Sequence, residues 1–122
     1  MPKTILIVDD SSSLRTVVKI ALARAGYDVL EAGDGKEGLG QLDKADKVHL
    51  IVSDVNMPNM DGISFLKHLK STPAYRFTPV IMLTTESQES KKAEGRAAGA
   101  RAWITKPFQP STLVDAVNKL CV

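Results

Sequence analysis

The chain has 122 residues and a formal net charge of +2, with 43% hydrophobic and 25% charged residues. That length suits one domain, and the composition is that of an ordinary soluble protein rather than a disordered chain. The apolar runs Ile5 to Val8 and Val80 to Leu83 are far too short to span a bilayer or to serve as a signal peptide, and the lone Cys121 cannot form an intrachain disulfide.

The elements follow in chain order. Thr4 to Val8 is nearly all apolar and β-branched, which predicts a strand buried on both faces. Ser11, Ser12 and Ser13 each suit a helix cap, and Leu14, Val17, Val18, Ala21, Leu22 and Ala25 recur at helical spacing up to Gly26. Tyr27 to Glu31 is a second strand, Lys36 to Leu42 a short helix, and Val48 to Ser53 a third strand. Gly62 to Lys70 reads as a helix and Thr78 to Leu83 as a fourth strand, with Pro79 near its start. Ser87 to Ala98 is a polar helix closed by Gly99, Ala102 to Thr105 a fifth strand, and Ser111 to Leu120 a last helix.

Charge is uneven along the chain. Residues 1–61 hold 7 Lys/Arg against 10 Asp/Glu, and residues 62–122 hold 9 against 4. Lys91, Lys92, Arg96 and Arg101 make at most a mildly basic, solvated face. Basic residues are dispersed and aromatics are 5%, so a nucleic-acid interface is not expected.

Five strand–helix repeats predict an α/β fold, a doubly wound parallel sheet with helices on both faces. Right-handed crossovers bring every strand C-terminus to one edge, where such sheets bind ligands. The strands end in Asp9 and Asp10, in Asp54, in Thr84 and Thr85, and in Lys106. Three close carboxylates repel one another, and a hard divalent cation such as Mg²⁺ relieves that repulsion. Lys106 and Thr84 supply a charge and a hydroxyl that suit phosphoryl oxygens. Any one of these residues alone would be read as a cap, turn or surface residue. His49 and His68 fall away from this edge, and Met57 and Met60 read as loop packing.

With those residues in place, the chain resembles the receiver domain of two-component response regulators over essentially its whole length. The pattern is an acidic pair after strand one, Asp54 followed by Met57-Pro58-Asn59-Met60-Asp61-Gly62, Thr84 after strand four, and Lys106-Pro107 after strand five. The intervals of 30 residues from Asp54 to Thr84 and 22 from Thr84 to Lys106 also fit. The acceptor loop is similar to those of chemotaxis regulators. The resemblance implies a five-stranded flavodoxin-like sheet in the order 2-1-3-4-5 and a single receiver domain over residues 1–122 with no output domain.

It also implies roles. Asp54 would accept the phosphoryl group. Asp10, Asp54 and the backbone carbonyl of Asn56 would hold Mg²⁺, with Asp9 acting mainly through metal-bound water. Thr84 and Lys106 would bind phosphoryl oxygens, and Lys106-Pro107 would be cis. Asp61-Gly62 would shape the loop, Gly62 by a backbone angle other residues resist. Asn56 and Glu86 would tune dephosphorylation, and Thr84 with Trp103 would form the switch. Two positions depart from the family habit: Thr85 stands where Ala or Gly is common, and Trp103 where Tyr or Phe is common.

The function so implied is a cytoplasmic, monomeric phosphorylation switch that is not an enzyme beyond its own Mg²⁺-dependent phosphorylation and dephosphorylation. A histidine kinase would donate the phosphoryl group. Output would be protein binding on the face of helix four, strand five and helix five, with a flagellar motor switch protein as the nearest match and no nucleic acid or membrane involved. A phosphorelay intermediate that passes phosphate to a histidine phosphotransferase keeps the same chemistry. An Asp-nucleophile phosphatase is disfavoured because Asn56 stands where its acid–base Asp belongs. A flavin binder is disfavoured because three carboxylates would repel the flavin phosphate.

Overall fold

A computed structural model describes residues 2–45, 47–85 and 89–121, with residues 89–92 described by backbone alone. The chain alternates β1 (Thr4–Val8), α1 (Ser12–Arg24), β2 (Asp28–Ala32), α2 (Gly35–Lys44), β3 (Leu50–Asp54), α3 (Gly62–Lys70), β4 (Val80–Thr84), α4 (Glu89–Ala98), β5 (Ala102–Thr105) and α5 (Pro110–Leu120). All strand pairs are parallel and the sheet order is β2-β1-β3-β4-β5. β1 crosses to β2 on one side and the chain returns to β3 on the other, so the order reverses beside β1.

The continuous apolar strands follow from burial on two faces. Leu6, Val8, Ile51, Val80 and Met82 pack with Phe65, Leu66 and Leu69 of α3 and Leu42 of α2. The alternating residues Ile5, Ile7, Leu50, Val52, Ile81 and Leu83 pack with Val18 and Leu22 of α1 and Leu113 and Val117 of α5. A side-chain period of two sends neighbours to opposite faces, so a strand covered twice needs apolar residues at every position.

Several expected boundaries move. Strand three begins at Leu50 and strand four at Val80, because the β1–β3 ladder opens at Ile5 and Leu50 and the β3–β4 ladder at Ile51 and Val80. Pro79 has no N–H to give, and only its carbonyl joins the sheet, accepting from Ile51 at 3.0 Å. α2 starts a residue early because the Asp34 side chain accepts the Glu37 N–H and draws Gly35 into the helix. Of the three serines, Ser11 caps α1. Val17 and Ala25 lie outside the buried stripe of α1. Val17 is 49% exposed, while Val18 and Leu22 carry the packing. The start expected for α4 at Ser87 lies outside the described residues.

His49 lies at the sheet edge opposite the carboxylates. Its Nδ1 accepts the Thr4 backbone N–H at 3.0 Å, which requires an unprotonated nitrogen. Burial, then the charges of Lys47 and Lys3, hold its pKa below the ordinary value. The unfolded chain therefore takes up a proton first as pH falls, and stability is lost below about pH 6.5. His49→Asn keeps an acceptor at that place without titrating. The melting temperature of that variant should gain on the parent as pH drops from 7 to 5, and a constant difference would contradict the assignment.

Candidate functional site: an acidic pocket at the strand C-termini

Asp9 follows β1 and is fully buried, held from several sides. Its N–H donates to the Ala32 carbonyl at 3.0 Å, tying it to the end of β2. Its Oδ1 accepts the Ser11 N–H at 2.8 Å, and its Oδ2 accepts from Lys106 Nζ at 2.9 Å. Arg15 of α1 donates through Nη1 to the Asp9 carbonyl and through Nε to Glu31 Oε1 at 3.3 Å. Asp10 is exposed at the rim. Asp54, the last residue of β3, is 6% exposed, and its Oδ1 lies 3.4 Å from Lys106 Nζ.

Carboxylate oxygens of Asp9, Asp10 and Asp54 all lie within 4.8 Å of one another. The crowding shows in Asp54. Burial first, then the charge of Asp9, push its pKa up to about 6 against the pull of Lys106. Burial alone would lower the pKa of Lys106, but its hydrogen bond to Asp9 and the charge of Asp54 hold it above the ordinary value. Oxygen ligands of excess negative charge, partly desolvated and supported by one ammonium, are the donor set a hard divalent cation takes. The residues present therefore fit Mg²⁺.

Thr84 ends β4 and is buried, with its hydroxyl donating to the Thr85 carbonyl at 3.2 Å. The Lys106 N–H donates to the Thr84 carbonyl at 2.6 Å, so the ends of β4 and β5 are joined beside the acidic pocket. The Lys106–Pro107 peptide is cis, as the resemblance implied. Thr85 is exposed and lines an open hollow of about 460 Å³ with Ser11, Leu14, Lys106, Pro107 and Phe108. Asn56 lies in the exposed turn two residues after Asp54. Glu86 lies outside the described residues, as do the side chains of Lys91 and Lys92; Arg96 and Arg101 are exposed.

Trp103 sits in register with Met82 and packs on the α2–α3 side of the sheet. Its indole Nε1 is buried without a hydrogen-bond partner among the described residues. The expectation for Gly62 is corrected. The left-handed residue of the loop is Asn59, with φ of 66°, and Gly62 is not among the positive-φ glycines. A Cβ at Gly62 would stand 2.0 Å from the Asp54 carbonyl oxygen, so close approach of two backbones is what requires glycine.

Sequence reasoning missed three supports of the site. Arg15 pins the Asp9 backbone. Asn59 Nδ2 donates to Asp34 Oδ2 at 2.7 Å, clipping the loop after β3 to the cap of α2. Gly35 accommodates Met60, whose side chain would stand 2.9 Å from an added Cβ. None of the three gave a signal of its role, since the expected helix begins at Lys36 and leaves Gly35 outside it.

Residues 5–118 match the family described as response regulator receiver domain. The chain belongs to that family. It is 39% identical over 115 residues to the chemotaxis protein CheY1 of Helicobacter pylori, covering 93% of each chain. It is also 39% identical to a CheY homologue of Campylobacter jejuni over 93% of this chain and 88% of the relative. The solved structure of the chemotaxis protein CheY4 of Vibrio cholerae superposes with a TM-score of 0.91 at 45% identity, covering 98% of this chain and 99% of that one. The receiver family comprises signalling proteins without a dedicated catalytic activity. Among the described residues, no helix of this receiver is long and apolar enough to cross a membrane.

Proposed function

We propose that this receiver is a phosphorylation switch whose acceptor is Asp54, charged by a histidine kinase and read by a protein partner in chemotaxis or motility signalling. The observation that carries the reading is one buried carboxylate, Asp54, at the mouth of a pocket shared with Asp9, Asp10 and the ammonium of Lys106. An Asp54 oxygen attacks the phosphorus of a phosphohistidine, the P–N bond breaks, and an acyl phosphate remains on Asp54. Hydrolysis of that acyl phosphate returns the free carboxylate and inorganic phosphate.

Asp10, Asp54 and the Asn56 carbonyl would hold Mg²⁺, with Asp9 acting from behind them. When bound, Mg²⁺ supplies charge neutralisation for the phosphoryl oxygens. The rest falls to the protein. Lys106 exchanges its contact with Asp54 for a phosphoryl oxygen, and the Thr84 hydroxyl donates to another. The hollow beside Lys106, lined by Leu14, Pro107 and Phe108, leaves the pocket open to a donor side chain. Asn56 and Glu86 would tune the lifetime of the acyl phosphate.

Output is a shift in population of the face formed by α4, β5 and α5, transmitted through Thr84 and Trp103. The similar proteins are named for chemotaxis, which supports a motility partner such as a motor switch protein. The reading also implies a single receiver unit acting as a monomer in the cytoplasm, where kinases charge their histidines. A small acyl phosphodonor with Mg²⁺ should give one hydroxylamine-labile phosphoryl group per chain, and no labelling in Asp54→Asn. Equal labelling of the variant would defeat the assignment.

A further inference from the structure

α4 is tied to its neighbours by Glu94, which meets Lys67 of α3 at 3.4 Å, and by Ala98, which packs against the core. Among its described side chains, Ala93, Glu94, Arg96 and Ala97 are exposed, and no apolar residue is larger than alanine. Gly95 is the buried one, and it faces the Trp103 indole. A Cβ on Gly95 would stand 2.0 Å from Trp103 Cζ2, 2.7 Å from Cη2 and 3.2 Å from Ile63 Cδ1. Glycine inside a helix weakens it relative to alanine, so some contact must offset that loss. The φ of Gly95 is not positive, so backbone conformation does not call for glycine there.

The indole is also costly in this pose. Its Nε1 is buried with no partner among the described residues, a loss of hydrogen bonding that packing has to overcome. The packing that can do so is the six-membered ring lodged against the Gly95 backbone and set against the core cluster that includes Ile63.

We infer that Gly95 is a positioning residue for Trp103: it forms a notch in α4 that admits the indole and thereby fixes α4 against β5. The ring fills the space a side chain at residue 95 would occupy, so α4 cannot settle further onto the sheet while the indole is in. The indole in turn has no room if residue 95 gains a methyl group. Trp103 and α4 therefore move as one unit. The consequence for signalling rests on the switch reading above, in which Trp103 responds to Thr84. The notch itself does not, and its test needs neither phosphate nor metal.

The experiment compares Gly95→Ala in two backgrounds, parent and Trp103→Leu, and follows the single tryptophan where it is present. In the parent background Gly95→Ala should red-shift the indole emission, raise acrylamide quenching by about twofold or more, and lower the melting temperature. In the Trp103→Leu background the methyl group meets no ring, and the Ile63 Cδ1 at 3.2 Å is the end of a flexible side chain that can turn into the space the indole leaves. Ordinary helix propensity then governs, and Gly95→Ala should raise the melting temperature by a few °C. Failure of the parent-background variant to fold, with the double variant more stable than Trp103→Leu alone, supports the notch equally. Unchanged emission and quenching in Gly95→Ala overturns it. So does a melting-temperature change of the same sign in both backgrounds, which would make residue 95 a generic backbone position. Absence of phosphoryl labelling on Asp54 would leave these results as they stand and count only against the switch reading.

Discussion

Asp54→Asn should be more stable than the parent at pH 7.5, by roughly 5–10 °C in melting temperature. The cause is the crowding of carboxylates. Asp54 has a pKa of about 6 in the folded chain, raised by burial and by Asp9. In the unfolded chain it has the ordinary value near 4. Between those two values the folded state holds a proton that the unfolded state has lost. Stability therefore falls as pH rises through that window, and the whole loss is present above it. A pKa difference of that size corresponds to about 2–3 kcal/mol. Asparagine stays neutral at every pH and escapes the loss. The advantage of the variant should be near zero at pH 4, grow through pH 5 and 6, and level off by pH 7. Thermal melts of both proteins over that range check it, and a difference independent of pH would mean that Asp54 is not ionised against its surroundings. Mg²⁺ should raise the melting temperature of the parent and act far less on the variant.

Lys106→Met should have the opposite effect. Its ammonium lies 2.9 Å from Asp9 and 3.4 Å from Asp54, and Asp9 is wholly buried. Methionine keeps the apolar stem and leaves two carboxylates facing each other without a cation. Removing one partner of a buried pair costs about 3–5 kcal/mol, and less where the cation is partly solvated, as Lys106 is at 23% exposure. A loss of about 2–3 kcal/mol is expected at pH 7.5. It should shrink toward pH 5 as Asp54 takes up a proton, and it should be smaller in an Asp54→Asn background, since the two sites share one network. Equal losses in both backgrounds would show that Lys106 stabilises the chain by some route other than Asp54. Labelling of Asp54 should survive in Lys106→Met, while phosphorylation should lose much of its effect on partner binding.

The strands were legible because a sheet covered on both faces leaves no freedom in composition, so β1, β3 and β4 read as apolar runs. The strand-end residues were legible because parallel crossovers force Asp9, Asp54, Thr84 and Lys106 to one edge whatever the loops do. Element ends were less so. They depend on which backbone groups the neighbouring strand can pair, and Val48, His49 and Thr78 look like strand residues until the ladder is seen. Val17 was misplaced because α1 carries apolar residues on two sides, and periodicity alone does not say which faces the sheet. Gly62 and Gly95 are required by close approach, to the Asp54 carbonyl and to the Trp103 ring. Such contacts join residues 8 positions apart in either case, with nothing between them in the sequence to mark the pairing. Arg15 was missed because it bonds a backbone carbonyl, and a backbone acceptor leaves no trace in residue type.

In the proposed switch one carboxylate, Asp54, takes the phosphoryl group. The direct measurement is to load the protein with a small acyl phosphodonor and Mg²⁺, reduce the acyl phosphate with borohydride, and locate the resulting homoserine by peptide mass mapping. Homoserine is expected at residue 54 and at no other acidic position, dependent on both donor and metal. Homoserine at position 9 or 10, or a phosphoryl group that resists reduction and hydroxylamine because it sits on a hydroxyl such as that of Thr84 or Thr85, would contradict it.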